Sequence, residues 1–334
     1  MAQVVTPTLL ALDIGASTHA FAVDTGRCQE SGEVRNESAT LRTFLAQQIA
    51  RTGTLRVIVE ATGIYYLDVA LIAAELGAQI MVVNPKASHN FGKALQQRSK
   101  TDALDAGLLL EYLRRMPFVA WVAPRQALLE LRYYGRYLTQ LVEDRTAALN
   151  RLHALEHAKV SPKALRKDLK QAIASLERRI ERIRSEALAL IKADDELRAA
   201  YQSLVTVKGI ADVSAVSILA EVMVMPRTLS SRACVCHAGL DVRLHQSGTS
   251  VARPARISKH GNKYLRRALY MPALSAIQCD PHARAFRERL LARGKKKMQA
   301  LVAVMRKMLT AVWALVRHPS AYDGSKLYSV AIEG

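Results

Sequence analysis

Four carboxylates and one serine segment carry the chemistry in this sequence. Asp13 closes the apolar run 8–15, Glu60 closes Arg56-Val57-Ile58-Val59-Glu60, and Asp102 and Asp105 open a helical stretch. In an α/β sheet the strand ends collect along one edge, and an i, i+3 pair lies on one face of a helix. Four acids gathered there repel one another unless a cation sits among them. Hard divalent ions with oxygen ligands suit that donor set, Mg²⁺ first, with Mn²⁺ able to replace it. Two such ions about 3.5–4 Å apart clamp the attacking and leaving oxygens of a phosphate. Each acid alone also has a structural reading: Asp13 as a turn residue, Asp102 as an acid favoured by a helix dipole. The order strand, strand, helix favours the metal reading.

The serine segment is Gln246-Ser247-Gly248-Thr249-Ser250, read as a Gly-containing loop flanked by Arg243, His245, Arg253 and Arg256. A hydroxyl is a weak nucleophile that needs a base, a metal or a neighbouring charge. The surrounding cations suit the charge that develops on a pentacoordinate phosphate. The chain has no Gly-x-x-x-x-Gly-Lys-Ser/Thr loop, so ATP-driven ligation is not expected. An enzyme that rejoins strands without ATP must conserve phosphodiester energy, and a phosphoserine link does so. On chemistry alone Ser247 and Ser250 are both candidates, and an ordinary loop serine is the simpler reading.

The elements that must position these groups follow from periodicity. Runs at 8–15, 19–25 and 32–37 read as strands, 40–51 as an amphipathic helix, and 56–60 as a β-branched strand stopped by Ala61-Thr62-Gly63. A helix at 65–76, a strand at 79–84 stopped by Asn84-Pro85, and a helix from Thr101 complete an α/β unit expected over 1–125. A helical arm is expected over 126–200. Its residues Leu169, Ile173, Leu176, Ile180, Ile183, Ala187 and Leu190 alternate four- and three-residue steps between charged flanks, a coiled-coil seam. Ser161-Pro162 marks the bend between two arms, which either pack on each other or join a second chain. Residues 201–334 read as a mainly helical unit punctuated by glycines.

Lys and Arg number 48 against 29 acids, a formal charge of +19. By these segments the net charge is +1, +4 and +14, so a polyanion is expected against the last third. The apolar stretches are broken by Glu75 and Glu221, and no membrane span is expected. The N-terminus has no basic start before its apolar run, so no signal peptide is expected. Four scattered cysteines fit a reducing cytoplasm.

Cys234-Val235-Cys236-His237 lacks metal-ligand spacing and reads as buried small residues. Tyr133, Tyr134 and Tyr137 suit packing more than base stacking. Leu204–Ile210 resembles a phosphate-holding helix-hairpin-helix turn, but Ala211 replaces the second glycine, which favours a plain helix-turn-helix. Lys295, Lys296 and Lys297, with Lys259, Lys263, Arg266, Arg267, Arg243, Arg253 and Arg256, are expected nucleic-acid contacts.

Read together, Asp13-Ile14-Gly15, Glu60-Ala61-Thr62-Gly63, Asn84-Pro85 and Lys100-Thr101-Asp102-Ala103-Leu104-Asp105 resemble the DEDD insertion-sequence transposases, relatives of pilin-gene invertases. Ala238-Gly239-Leu240, Gln246-Ser247-Gly248-Thr249-Ser250, Ile257-Ser258-Lys259-His260-Gly261-Asn262 and Leu265-Arg266-Arg267-Ala268-Leu269-Tyr270 continue the resemblance in order along the chain. It implies an RNase H-like (RuvC-like) α/β domain, a coiled-coil arm and a mainly α transposase domain. It further implies that Asp13, Glu60, Asp102 and Asp105 bind Mg²⁺ and that Ser247 attacks DNA. Partners implied are double-stranded donor and target DNA, a structured bridge RNA, and further copies in a homodimer or homotetramer. Two other functions fit the residues: a RuvC-like endonuclease or junction resolvase using water, and a non-catalytic basic nucleic-acid-binding protein.

Overall fold

The computed structural model describes residues 7–62, 65–96, 101–247 and 251–328, and the side chains of all these except 244–247 and 251–255. Two compact units result, Met1–Ala123 and Pro124–Gly334. The first holds 11 basic and 11 acidic residues and the second 37 against 18, so the whole excess of +19 lies on the second.

In the first unit the chain forms β1 (Thr8–Ile14), β2 (Thr18–Asp24), β3 (Gln29–Arg35), α1 (Ser38–Thr52), β4 (Leu55–Glu60), α2 (Tyr66–Glu75), β5 (Gln79–Val83), α3 (Pro85–Ala94) and α4 (Asp102–Arg115). The five strands make one mixed sheet in the order β3-β2-β1-β4-β5. β1 pairs antiparallel with β2 and parallel with β4, and β5 lies parallel to β4. Period-two alternation sends Leu10, Leu12, Val57 and Val59 to one face, against Leu41, Leu45, Val69 and Ala73 of α1 and α2. Ala11, Ile58, Met81 and Val83 face the other way, against Ala106, Leu109, Leu110 and Leu113 of α4. Helices thus cover both faces, and both cores are fully buried at Leu10, Ala11, Leu12 and Ile58.

α3 was not expected. Asn84-Pro85 reads as a strand stop, but it is equally a helix start: the Asn84 side chain accepts the Lys86 N–H at 2.9 Å, and Pro85 occupies the first turn.

The second unit opens with α5 (Gln126–Glu156) and α6 (Lys163–Ala193), two 31-residue helices either side of Ser161-Pro162. They pack on each other. Ile173, Ile180 and Ala187 of the seam are buried, with Leu152, Ala148, Leu141 and Leu138 of α5 buried alongside. The seam therefore finds its partner within its own chain, and it no longer argues for a second copy. Then follow α7 (Asp195–Leu204), α8 (Asp212–Val222), α9 (Ser231–His237), β6 (Val242–Ser247), β7 (Val251–Ile257), α10 (Lys263–Ala268), α11 (Tyr270–Cys279), α12 (Pro281–Ala292), α13 (Lys297–Arg317) and α14 (Gly324–Tyr328).

α13 corrects one expectation: it is long and apolar enough to cross a membrane by length and composition. Its apolar face is spent on the core, where Val304, Met308, Leu309, Val312 and Trp313 are buried and the Trp313 indole N–H donates to the Leu229 carbonyl at 3.0 Å. The β6–β7 hairpin was also unforeseen. Arg, His, Gln, Ser and Pro interrupt its strands, which lack the β-branched alternation that marks a half-buried strand.

Candidate active site

Asp13 and Glu60 sit at the same edge of the first unit's sheet. The parallel register pairs Leu12 with Val59, so Asp13 and Glu60 are the next step on adjacent strands. Alternation puts both on the face that carries Ala11 and Ile58, which is the face α4 covers.

The direction of α4 follows from an ion pair at its far end. Arg114 donates to the Asp24 carboxylate, at 3.0 Å from Nε and 2.5 Å from Nη2. Asp24 pairs with Leu9, at the start of β1. α4 therefore runs antiparallel to β1. From Arg114 back to Asp105 is about 13.5 Å of helix, at ~1.5 Å per residue. From Leu9 to Asp13 is about 13 Å of strand, at ~3.3 Å per residue. Asp105 thus stands level with Asp13. Asp105 and Asp102 extend the buried stripe Ala106, Leu109 and Leu113 by a turn, and Asp102, in the outermost turn, is exposed. Thr101 caps that turn by accepting the Leu104 N–H at 3.3 Å, and both acids gain from the positive end of the dipole.

Glu60 is held from two sides. Thr62 donates its hydroxyl to Oε1 at 2.6 Å, and Ser88 of α3 donates to Oε2 at 2.5 Å. Ser88 is buried, and neither it nor its helix was legible as part of a site; the Asn84-Pro85 start was the available signal. Among the described residues no three of His, Cys, Asp and Glu form a ready-made metal cluster. The donor set still fits a hard divalent ion: oxygen ligands only, two of them neighbours in register, one with its orientation fixed by hydroxyls. Behind this edge His19 is fully buried on β2; its Nδ1 accepts the Gly15 N–H at 3.2 Å while Nε2 finds no partner. Desolvation pulls its pKa below the usual imidazole value, against weaker opposing effects of Asn36, Asp68 and Gly15.

In the second unit Ser247 is the last residue of β6 and pairs with Val251, so it stands where the hairpin turns rather than in an open loop. Ser250 lies outside the described residues, and so do the side chains of Ser247, His245 and Arg253. The register sets Arg243 against Arg256 and His245 against Arg253, with an irregularity between Arg243 and His245. Like charges directly opposite across a ribbon are destabilising. A polyanion laid along the ribbon relieves that cost.

The base of the hairpin is clamped by two segments lying side by side. The N–H groups of Ser258, Lys259 and Asn262 donate to the carbonyls of Asp241, Gly239 and His237, and the Ser258 hydroxyl bonds the Asp241 carboxylate. Gly261 has φ 128° and lies so close to His237 that a Cβ would stand 2.1 Å from its carbonyl oxygen, so no other residue fits there. Asn262 caps α10 through Oδ1 and gives its Nδ2 to Glu221 at 2.6 Å. Glu221, 1% exposed on α8, also receives Arg136 at 2.6 Å and Arg132 at 3.4 Å. Sequence reasoning saw Glu221 only as a break in an apolar run. It is a buried carboxylate that ties α5, α8 and α10 together.

The expected nucleic-acid contacts separate into kinds. Arg243, Arg256, Lys259 and Lys263 are exposed on and below the hairpin. Lys295, Lys296 and Lys297 are exposed at the turn between α12 and α13. Arg266 spends an N–H on the Ala238 carbonyl at 2.8 Å, and Arg267 pairs with Glu143. Of the weaker motifs, Cys234 is buried with its thiol pushed up to about 12 by desolvation, Tyr134 packs on the core, and Arg179 engages Tyr137. The turn at Gly209 is filled by protein, packing against Pro272 and Ala276 of α11.

A family model described as a transposase matches residues 10–156, and a second, for the transposase IS116/IS110/IS902 family, matches 201–288. The pilin gene-inverting protein of Moraxella bovis is 31% identical over 279 residues, 81% of this chain and 83% of its own length. The chain belongs to the IS110 family of DEDD transposases. A probable family 20 transposase of Pseudomonas aeruginosa is 27% identical over 281 residues, 74% of this chain and 80% of its own. The first matched segment of the transposase contains Asp13, Glu60, Asp102 and Asp105, and the second contains Ser247 and the clamp that closes its hairpin. The family is one of enzymes that cleave and rejoin DNA.

Proposed function

We propose that the transposase cuts DNA with Ser247 as nucleophile, at a phosphate served by a divalent-metal site built from Asp13, Glu60, Asp105 and Asp102. The observation that carries the proposal is the shared register of Asp13 and Glu60, with Asp105 level beside them on α4. The strand order, with β2 antiparallel beside a parallel β1-β4-β5 core, supports reading the first unit as RNase H-like. When bound, Mg²⁺ supplies neutralisation of charge on the attacking and leaving oxygens.

The chain's own residues do the rest. The Ser247 Oγ attacks phosphorus, the bond to one ribose oxygen breaks, and the serine's proton ends on that leaving oxygen as a free hydroxyl. A hydroxyl of the other DNA then attacks the phosphoserine and restores the serine, so phosphodiester energy is conserved without ATP. Arg243 and Arg256 hold the strand at the hairpin base. The acids and the serine belong to different units, so cleavage requires both at one phosphate, within one chain or between the copies of a homodimer or homotetramer. A structured guide RNA from the element selects the donor and target, in keeping with the excess of +19 on the second unit.

The test is peptide mapping of the DNA-linked protein by mass spectrometry. A nucleotide remnant on Ser247 supports the proposal. A remnant on Ser250 sinks the assignment to Ser247, while cleavage products with no protein attached sink the covalent step and favour a hydrolytic RuvC-like nuclease.

A further inference from the structure

A cleft of ≈ 1470 Å³ opens within the second unit between the hairpin base, α5, α8, α10 and the start of α13. Its walls mix two surfaces that rarely meet in a plain phosphate-binding groove. Arg256, Lys259, Lys263, Lys295 and Arg306 line it, and its one acid, Glu143, is paired with Arg267. Between these cations lie large apolar side chains left open to solvent: Met271 at 65%, Met298 at 56%, Val242 at 47% and Tyr270 at 38%.

We infer that this cleft binds unpaired DNA, with bases against Tyr270, Met271 and Met298 and phosphates against the cations. A duplex presents phosphates outward and keeps its base faces stacked, so exposed apolar side chains gain nothing from it. A single strand offers base faces that stack on aromatic and soft apolar groups while its backbone follows cations. The cleft begins at Val242 and Arg256, at the base of the ribbon whose far end carries Ser247. The inference therefore rests on the proposed function: the strand held for attack at the ribbon's tip continues, unpaired, into the cleft. The charge of the lining selects a polyanion over a second copy's apolar surface.

The experiment measures binding of full-length protein to labelled 12-nucleotide single-stranded DNA, the matching duplex and the matching single-stranded RNA, at one fixed salt. Wild type, Met271→Glu and Met298→Glu are compared. Both glutamates replace exposed side chains, so the fold is retained, which a thermal melt verifies. Single-stranded DNA is expected to bind more tightly than the RNA and to weaken about tenfold or more in each glutamate variant, while duplex binding moves less than twofold. Binding is read without cleavage, so failure of the serine assignment leaves this result standing. Equal losses on duplex, tighter binding of RNA, or unchanged single-strand binding with loss of self-association would each overturn the inference.

Discussion

Asp13 and Glu60 occupy successive positions on two adjacent parallel strands, one step past the Leu12–Val59 pair and on the same face of the sheet. Two carboxylates so placed repel each other in a partly buried setting. The Ser88 and Thr62 hydroxyls both donate to Glu60 and fix the orientation of its carboxylate.

Ser88→Ala removes the buried donor to Glu60 without touching any acid. Strand cleavage titrated against Mg²⁺ is expected to need about tenfold more metal for half-maximal rate, the usual consequence of losing a partner behind a ligand. Ser88→Thr, which keeps the hydroxyl, recovers most of it. Unchanged Mg²⁺ dependence in Ser88→Ala would separate Glu60 from metal binding.

Asp24→Asn tests the ruler that levels Asp105 with Asp13. The Arg114–Asp24 pair is partly exposed, so its loss costs only about 1 kcal/mol. Cleavage is expected to fall more than that cost accounts for, since α4 loses the anchor that sets its axial position. Burial raises the Asp24 pKa, but the Gly26 N–H and Arg114 outweigh it and hold it below the ordinary 3.8. The folded state thus binds its proton less readily than the unfolded one, so the pair's contribution is complete above pH 3.8 and lost as pH falls through the folded value. Urea midpoints at pH 7 and pH 3 for wild type and variant read this directly.

His19 gives the opposite end of the same unit's pH response. Its folded pKa lies below 6.5, so the unfolded chain binds a proton first as pH falls. Stability is full above pH 6.5 and declines from there toward the lowered folded value. Protonation also takes away the acceptor for the Gly15 N–H, two residues after Asp13. Urea midpoints are expected to drop between pH 7 and pH 5.5 in wild type and to drop by less in His19→Gln, where the buried His237 still responds.

Glu221→Ala leaves Arg132 and Arg136 without their buried partner and Asn262 without its acceptor. A loss of about 3 kcal/mol is expected by urea denaturation of the full chain. Gly261→Ala, which strikes the same clamp through the backbone, is expected to abolish strand cleavage while the pH dependence assigned to His19 persists.

The α/β unit was legible because its signals are local. Strands at 8–15 and 56–60 announce themselves by unbroken apolar runs, and Asp13 and Glu60 end them. The helix opening at Asp102 carries its own cap, Thr101. What failed was whatever depended on pairing at a distance. α3 was hidden because Asn84-Pro85 both ends β5 and starts a helix, and Ser88 went with it. The β6–β7 ribbon was hidden because Arg243, His245, Arg253, Pro254 and Arg256 break the alternation that marks a half-buried strand. The seam on α6 was visible, but periodicity cannot say whose helix fills it, and α5 does. Glu221 reads as an interruption because only the fold brings Arg132, Arg136 and Asn262 to it.

The most direct measurement is a covalent-trapping assay with labelled donor and target DNA, RNA transcribed from the element's flanks, and Mg²⁺, resolved on denaturing gels. Wild type is expected to give a protein–DNA adduct that disappears in Ser247→Ala, in Asp13→Asn and in EDTA. Nicked DNA without an adduct, produced equally by wild type and Ser247→Ala, would contradict the account and leave water as the nucleophile.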